Sequence, residues 1–362
     1  MLRMTHPIDH SKNPLAEDLD HILRHTEGLW EPLRGGSVFI TGGTGFFGRW
    51  LLESFAHINR ELGLGAKALV LSRNPDAFIV RAPHLNEAAG IAYLRGDVRD
   101  FTLPSEHFSH VIHAGTTSGA AVEPKEMFDS IVDGTRRVLE FASTHGVRQL
   151  LFVSSGAVYG RQPGDLTHIP EDFPGAPDSL DPSSAYGEGK RAGEFLSNLA
   201  GSRNGFETKI ARCFAFVGPH LPLDAHFAVG NFIRDGLRGG PIQVSGDGTP
   251  YRSYLYAADL AIWLWTILFR GTAGRAYNVG SPSHSTIREV AETVEAALGL
   301  KTPAQIAKTP ALNQVPSRYV PDVERARREL GLVARIDLAT AVRRTAQWAG
   351  HQLGSQLHDS TR

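Results

Sequence analysis

Between residues 36 and 60 an apolar run, Ser37-Val38-Phe39-Ile40, leads through Thr41-Gly42-Gly43-Thr44-Gly45-Phe46-Phe47-Gly48 into an amphipathic segment that reads as a helix from Gly48 to about Asn59. This order of strand, glycine turn and helix constrains the fold more than any other part of the chain. Glycine at 42, 45 and 48 lets the backbone turn tightly and approach a ligand, while the first-turn amides and dipole of the helix favour negative charge. A glycine pattern alone marks many ordinary turns. Inside a βαβ unit it predicts a dinucleotide pyrophosphate held by Gly42, Thr44, Gly45, Phe46, Phe47 and Gly48.

The rest of the sequence supplies the βαβ context. Apolar runs at 68–71, 91–94, 110–113 and 150–153 alternate with amphipathic stretches, including a long helix from Met127 to His145. That alternation predicts an α/β fold, a doubly wound parallel sheet of Rossmann type with right-handed crossovers. The expected organisation is an N-terminal arm (1–34) and a dinucleotide-binding body (35–210) to which 252–280 returns. A smaller, discontinuous C-terminal substrate-binding lobe (211–251 and 281–350) and a tail (351–362) complete it. The arm carries a helical pattern around Leu19, Ile22 and Leu23, with Asn13-Pro14 as its start signal. The segment 161–184, rich in Pro, Gly and Asp, reads as a loop over the site, and Ile210 as the start of a further strand.

Composition excludes several classes. A net charge of −1 with interspersed signs offers no nucleic-acid or membrane surface. The first residues lack the apolar stretch of a secretion signal, and the longest apolar run, Leu260 to Phe269, is half a membrane span. The single cysteine, Cys213, cannot form an intrachain disulfide, which fits a cytoplasmic protein. The 16 histidines show no His-Glu-x-x-His spacing and no Cys-x-x-Cys accompanies them, so no metal is expected.

The second strand ends Leu71-Ser72-Arg73-Asn74. An acid there would bind a ribose 2′-hydroxyl, whereas an arginine accommodates a 2′-phosphate, so Arg73 favours NADP over NAD. Asp97 and Val98, in the turn after the third strand, are placed for the adenine end. Tyr186 and Lys190 stand four apart on one helical face. A phenol titrates near pH 10, and a neighbouring ammonium stabilises the phenolate and suits it to proton transfer. Ser155, at the carboxyl end of the strand 150–153, lies at the sheet edge where ligands of open α/β sheets bind, and is a donor to a reacting oxygen.

Together with Gly96 to Asp100, Val111-Ile112-His113-Ala114-Gly115, Ser154 to Gly160, Ser184 to Lys190 and Gly246 to Leu260, these residues resemble the extended short-chain dehydrogenase/reductase superfamily. More narrowly they resemble its NAD-dependent epimerase/dehydratase family acting on nucleotide sugars. The resemblance runs from about Gly36 to Leu332. It implies a catalytic triad of Ser155, Tyr186 and Lys190, with Lys190 also on the cofactor ribose, and a cofactor wall at Ala114 and Gly115. It further implies substrate contacts by Arg252 and Arg318, a nucleotide-diphosphate sugar as substrate, and a homodimer built on the long helices.

Departures from the pattern narrow the chemistry. In the 4,6-dehydratases an Asp-Glu pair follows the catalytic Ser or Thr. Gly156 and Ala157 fill those places here, which disfavours elimination of water. An Asn common in the mid-domain helix is Ile131, and another common after the strand near 210 is Ala215, with Asn231 as its substitute toward substrate. The leading expectation is an epimerase that transiently oxidises and re-reduces sugar C4. An NADPH-dependent reductase of a nucleotide-linked 4-keto sugar is the alternative that Arg73 favours. Reductases of steroids or plant phenolics share the triad, and the Arg252 segment argues against them. A non-catalytic Rossmann binding protein would be expected to have lost one of the three catalytic residues.

Overall fold

The computed structural model describes residues 13–116, 122–225, 227–311 and 315–359, with side chains through 352. Residues 1–12 of the arm, His226 and the end of the tail lie outside the described residues. The chain opens with helix α1 (Ala16–His25), β1 (Ser37–Thr41), α2 (Phe46–Glu61), β2 (Lys67–Ser72), the short helices α3 (Pro75–Arg81) and α4 (Pro83–Glu87), and β3 (Ile91–Arg95). It continues with β4 (His110–His113), α5 (Pro124–Thr144), β5 (Gln149–Ser155), α6 (Ala185–Asn204) and β6 (Glu207–Cys213). Then follow β7 (Phe216–Val217), α7 (Ala228–Leu237), β8 (Gln243–Val244), β9 (Tyr251–Ser253), β10 (Leu255–Tyr256) and α8 (Ala257–Arg270). The last stretch holds β11 (Arg275–Val279), β12 (His284–Thr286), α9 (Ile287–Leu298), β13 (Gln305–Ile306), β14 (Arg318–Tyr319), α10 (Glu324–Leu330) and α11 (Leu338–Asp359).

Seven strands form one parallel sheet in the order β11-β6-β5-β4-β1-β2-β3. The order reverses between β1 and β4, and a crevice opens at the carboxyl ends of strands on either side of such a switch. Side chains alternate across β1: Val38 and Ile40 join the core formed with α1, α2 and α8, while Phe39 points into the core shared with α5. A sheet covered on both faces needs apolar residues on both, which explains the near-continuous runs. Helix α8 is buried along 257–269, so its apolar character is that of a central helix. Its Asp259 is satisfied by the backbone amides of Arg335 and Ile336 and by His21 of α1.

Three short pairings build the region beyond the sheet: β7 with β10, β8 with β13, and β9 between β12 and β14. Several boundaries differ from the sequence expectation: α2 starts at Phe46 rather than Gly48, and the helix read as Met127 to His145 runs from Pro124 to Thr144. The strand read as starting at Ile210 starts at Glu207, because Thr208 and Lys209 are polar residues buried in a strand interior, Lys209 beside Glu207. The stretch after 350, read as a tail, continues α11 to Asp359.

Candidate active site

The glycine turn is built by steric exclusion. Gly42 has φ +71°, and a Cβ there would stand 2.6 Å from the carbonyl of Ala114. A Cβ on Gly48 would stand 2.2 Å from the Gly42 oxygen, so α2 meets the turn in direct backbone contact. At the exposed Gly45 the nearest atom to such a Cβ is the Gly42 oxygen at 3.4 Å, which leaves the outer side of the turn open. This cradle, capped by the amides of Phe46 and Phe47 at the start of α2, fits a pyrophosphate. Phe47 packs edge-on against Phe216, fixing the helix start to β7.

Behind the turn runs a chain of hydrogen bonds whose polarity is forced at both ends. The Gly115 amide donates to Thr41 Oγ1 at 2.9 Å, and Thr135 Oγ1 donates to the Ile131 carbonyl at 2.6 Å. His113 bridges them, with Nδ1 2.7 Å from Thr41 and Nε2 3.1 Å from Thr135. Thr135 has given its proton to Ile131, so His113 carries its own on Nε2 and accepts from Thr41 on Nδ1. Complete burial, and then the charge of Lys190, hold this imidazole neutral. Ala114 and Gly115 are thereby tied to β1 beside the glycine turn.

Tyr186 is the second residue of α6 and Lys190 lies one turn on. Lys190 Nζ donates to the Val153 carbonyl at 2.9 Å and sits 5.8 Å from the centre of the Tyr186 ring. Burial lowers the lysine to about 8. Burial pushes the Tyr186 phenol up, and a hydrogen bond with Ser155 pulls it back. Ser155, at the end of β5, also accepts from the Ala157 amide at 3.1 Å. The three residues proposed for proton transfer therefore meet in one place.

Beyond Ser155, Tyr319 places its hydroxyl 3.5 Å from Ser155 Oγ and its ring 4.7 Å from that of Phe214. In the register of β9 and β14, Tyr319 stands opposite Arg252 and Arg318 opposite Tyr251. The Arg318 guanidinium lies 4.0 Å from the Tyr251 ring centre, and its buried Nη1 has no hydrogen-bond partner among the described residues, which would suit an anion-binding group. Arg252 donates to the Tyr251 carbonyl and acts on Tyr319 and Tyr254. Asn231 is farther along, on α7, where its Oδ1 accepts from Arg234. Sequence reasoning singled out Arg318 and passed over its neighbour Tyr319. The signal was an aromatic hydroxyl beside an arginine expected to contact substrate.

At the other end of the crevice Arg73 is exposed at the end of β2, its carbonyl accepting from Arg95. Asp97 is engaged on both oxygens by Arg99, which holds its carboxyl below the usual range, and Val98 packs on α5 at Gly134. Cys213 is buried near Lys190 and Tyr186, and burial drives its thiol far up. It is expected to resist thiol reagents in the folded protein and to react on unfolding. A thiol titration with and without denaturant checks this, and rapid labelling of the native protein would contradict the burial.

A family model described as the NAD dependent epimerase/dehydratase family matches residues 38–280. UDP-glucuronic acid decarboxylase 1 of Arabidopsis thaliana is 29% identical over 303 residues, covering 83% of this chain and 67% of the relative. The crystal structure of UDP-glucose 4-epimerase with UDP-glucose from Thermotoga maritima superposes with a TM-score of 0.73 at 20% identity, covering 88% of this chain and 99% of that one. dTDP-glucose 4,6-dehydratase from Bacillus anthracis in complex with NAD gives 0.69 at 20% identity, over 87% and 97% of the two chains.

Proposed function

The chain belongs to the NAD-dependent epimerase/dehydratase family, and from that premise we propose that it inverts C4 of a sugar carried on a nucleoside diphosphate. One observation carries the choice of epimerisation over loss of water. A side chain at Gly156 would meet the Tyr319 hydroxyl and the Phe214 ring, both at 2.8 Å, and Ala157 offers only a methyl group. Neither position supplies an acid to expel a hydroxyl, so oxidation and return at one carbon suit the site better than loss of water.

In this reading Tyr186 removes the proton from the C4 hydroxyl and returns it later. Lys190 supports the phenolate, and Ser155 donates to the same oxygen. Arg252 and Arg318 hold the diphosphate, with Asn231 further out on the nucleotide side. Gly42, Thr44, Gly45, Phe46, Phe47 and Gly48 hold the dinucleotide pyrophosphate, and Ala114 and Gly115 wall it in. The nicotinamide, when bound, supplies a hydride acceptor that serves as donor for the return. The net change is redox neutral. Exposed Phe128 on α5 and Phe195 on α6 support a homodimer through those helices.

The test is to incubate the purified protein with UDP-glucose, UDP-galactose and UDP-glucuronic acid and to follow both products and nicotinamide absorbance. A C4 epimer without net cofactor consumption is expected. Stoichiometric use of NADPH with a keto-sugar would replace this reading with a reductase. Loss of carbon dioxide from UDP-glucuronic acid would replace it with decarboxylation, which the Arabidopsis relative favours. That reaction begins with the same oxidation, because a C4 ketone is β to the C6 carboxylate.

Arg73 supports NADP as the cofactor. Arg73→Ala is expected to weaken NADP binding by roughly tenfold, as loss of one exposed charge-assisted contact, and to leave NAD binding nearly unchanged. Equal effects on the two, in a fluorescence titration, would make Arg73 an ordinary surface cation.

A further inference from the structure

The geometry points to Tyr319 as a positioning residue that, by donating its hydroxyl to Ser155, turns the serine's own proton toward Tyr186 and the reacting oxygen. The inference rests on Tyr186 being the base. A serine hydroxyl has one proton and two lone pairs. One lone pair of Ser155 takes the Ala157 amide, and Tyr319 stands 3.5 Å from the same oxygen. With both lone pairs engaged, Ser155 has only its proton left to offer, and Tyr186 is a side-chain hydrogen-bond neighbour that can take it. A serine that donates favours the phenolate, whereas one that accepts from Tyr186 holds the phenol protonated.

The polarity follows from the surroundings of Tyr319. Its ring is half-buried against Phe214, and burial keeps the phenol protonated and so able to donate. Its place is built from several directions. Gly156 leaves room that a Cβ would fill, at 2.8 Å from the hydroxyl. The next residue, Val320, gives its amide to Gln162 and accepts from Ile169 with its carbonyl. The 3.5 Å separation is long for an O–H···O bond, and such contacts in unliganded sites commonly tighten in the complex. Charged and titratable groups around the pair are Lys190 on α6, Cys213 on β6 and Arg252 on β9. Tyr319 therefore connects the strand pair carrying Arg252 and Arg318 to the proton-transfer site.

The test is a pH titration of the phenolate ultraviolet band in cofactor-loaded protein, which needs no substrate. The ionisation that disappears in Tyr186→Phe belongs to Tyr186. Tyr319→Phe is expected to move that midpoint up by about half to one pH unit, a three- to tenfold loss of phenolate at neutral pH. Gly156→Ala, which pushes the hydroxyl away while keeping the phenol, is expected to shift it in the same direction and carries the test if Tyr319→Phe does not fold. An unmoved or lowered midpoint in the folded, cofactor-bound variant overturns the inference. An ionisation unaffected by Tyr186→Phe overturns the reading of Tyr186 instead. Failure of every nucleotide sugar to turn over, with the midpoint shifting as stated, would sink the proposed reaction alone.

Discussion

Tyr186→Phe is expected to lower turnover by about a thousandfold while cofactor affinity stays within a few-fold of the parent. The phenyl ring keeps the packing at the start of α6 and leaves Lys190 on the Val153 carbonyl, so the cofactor pocket retains its shape. The hydroxyl is what disappears. General acid–base catalysis by one positioned group contributes on the order of a hundred- to ten-thousandfold, and among the described residues no other group at this place replaces it. Ser155 is a poor base without a partner that accepts its proton, and the neighbouring His113 is spent on Thr41 and Thr135. The pH profile sharpens the expectation. With Tyr186 as base the parent loses activity on the acid side as the phenolate is protonated, and Tyr186→Phe should lose that limb along with the rate. Steady-state kinetics beside a cofactor-binding titration measures both. A variant with near-normal turnover, or one that fails equally in cofactor binding, would remove Tyr186 from its assigned role.

How much of this was legible in the sequence depended on whether a feature is local. The glycine turn could be read because its requirement is steric and confined to seven residues, and the structure shows the contacts that demand it at Gly42 and Gly48. The parallel sheet was readable from apolar runs, since strands covered on both faces admit few polar residues. The same rule hid the start of β6, where Thr208 and Lys209 are buried. Tyr186 and Lys190 are four apart and needed only a helix to be joined.

The contact between Ser155 and Tyr319 spans 164 positions and depends on two- and three-residue strands that leave no periodic trace. The polar network beneath the site was equally invisible. Glu194 takes Ser154 and a two-pronged contact from Arg212, and Arg212 reaches Tyr159, which donates to Asn278. Each member reads on its own as an ordinary polar residue. Only the tertiary arrangement shows that they join α6, β5, β6 and β11 next to Ser155 and Lys190.

Lys190→Met is expected to lose turnover by roughly a hundredfold or more and yet, without cofactor, to melt several degrees higher than the parent. The ammonium is buried, donates to one carbonyl and lies over the Phe152 and Tyr186 rings, while the Glu194 carboxylate is already held by Arg212. Burying a charge with so little compensation disfavours the folded state, which is why the lysine falls from its ordinary 10.5 to about 8. Because the folded-state value is depressed, the unfolded chain binds the extra proton between about pH 8 and 10.5, and folding stability rises across that interval. Below it the full cost is present, on the order of 3 kcal/mol at 1.36 kcal/mol per unit. Methionine has a similar length and no charge, so it escapes that cost. Its advantage should be largest below about pH 8 and fade toward pH 10.5, which melts at several pH values will show. A variant less stable than the parent at neutral pH would mean that the lysine's contacts outweigh its desolvation. The activity loss follows from the same charge: without it nothing on α6 supports the Tyr186 phenolate. Stability given up at Lys190 is thus the expected counterpart of a tyrosine able to act as a base near neutral pH.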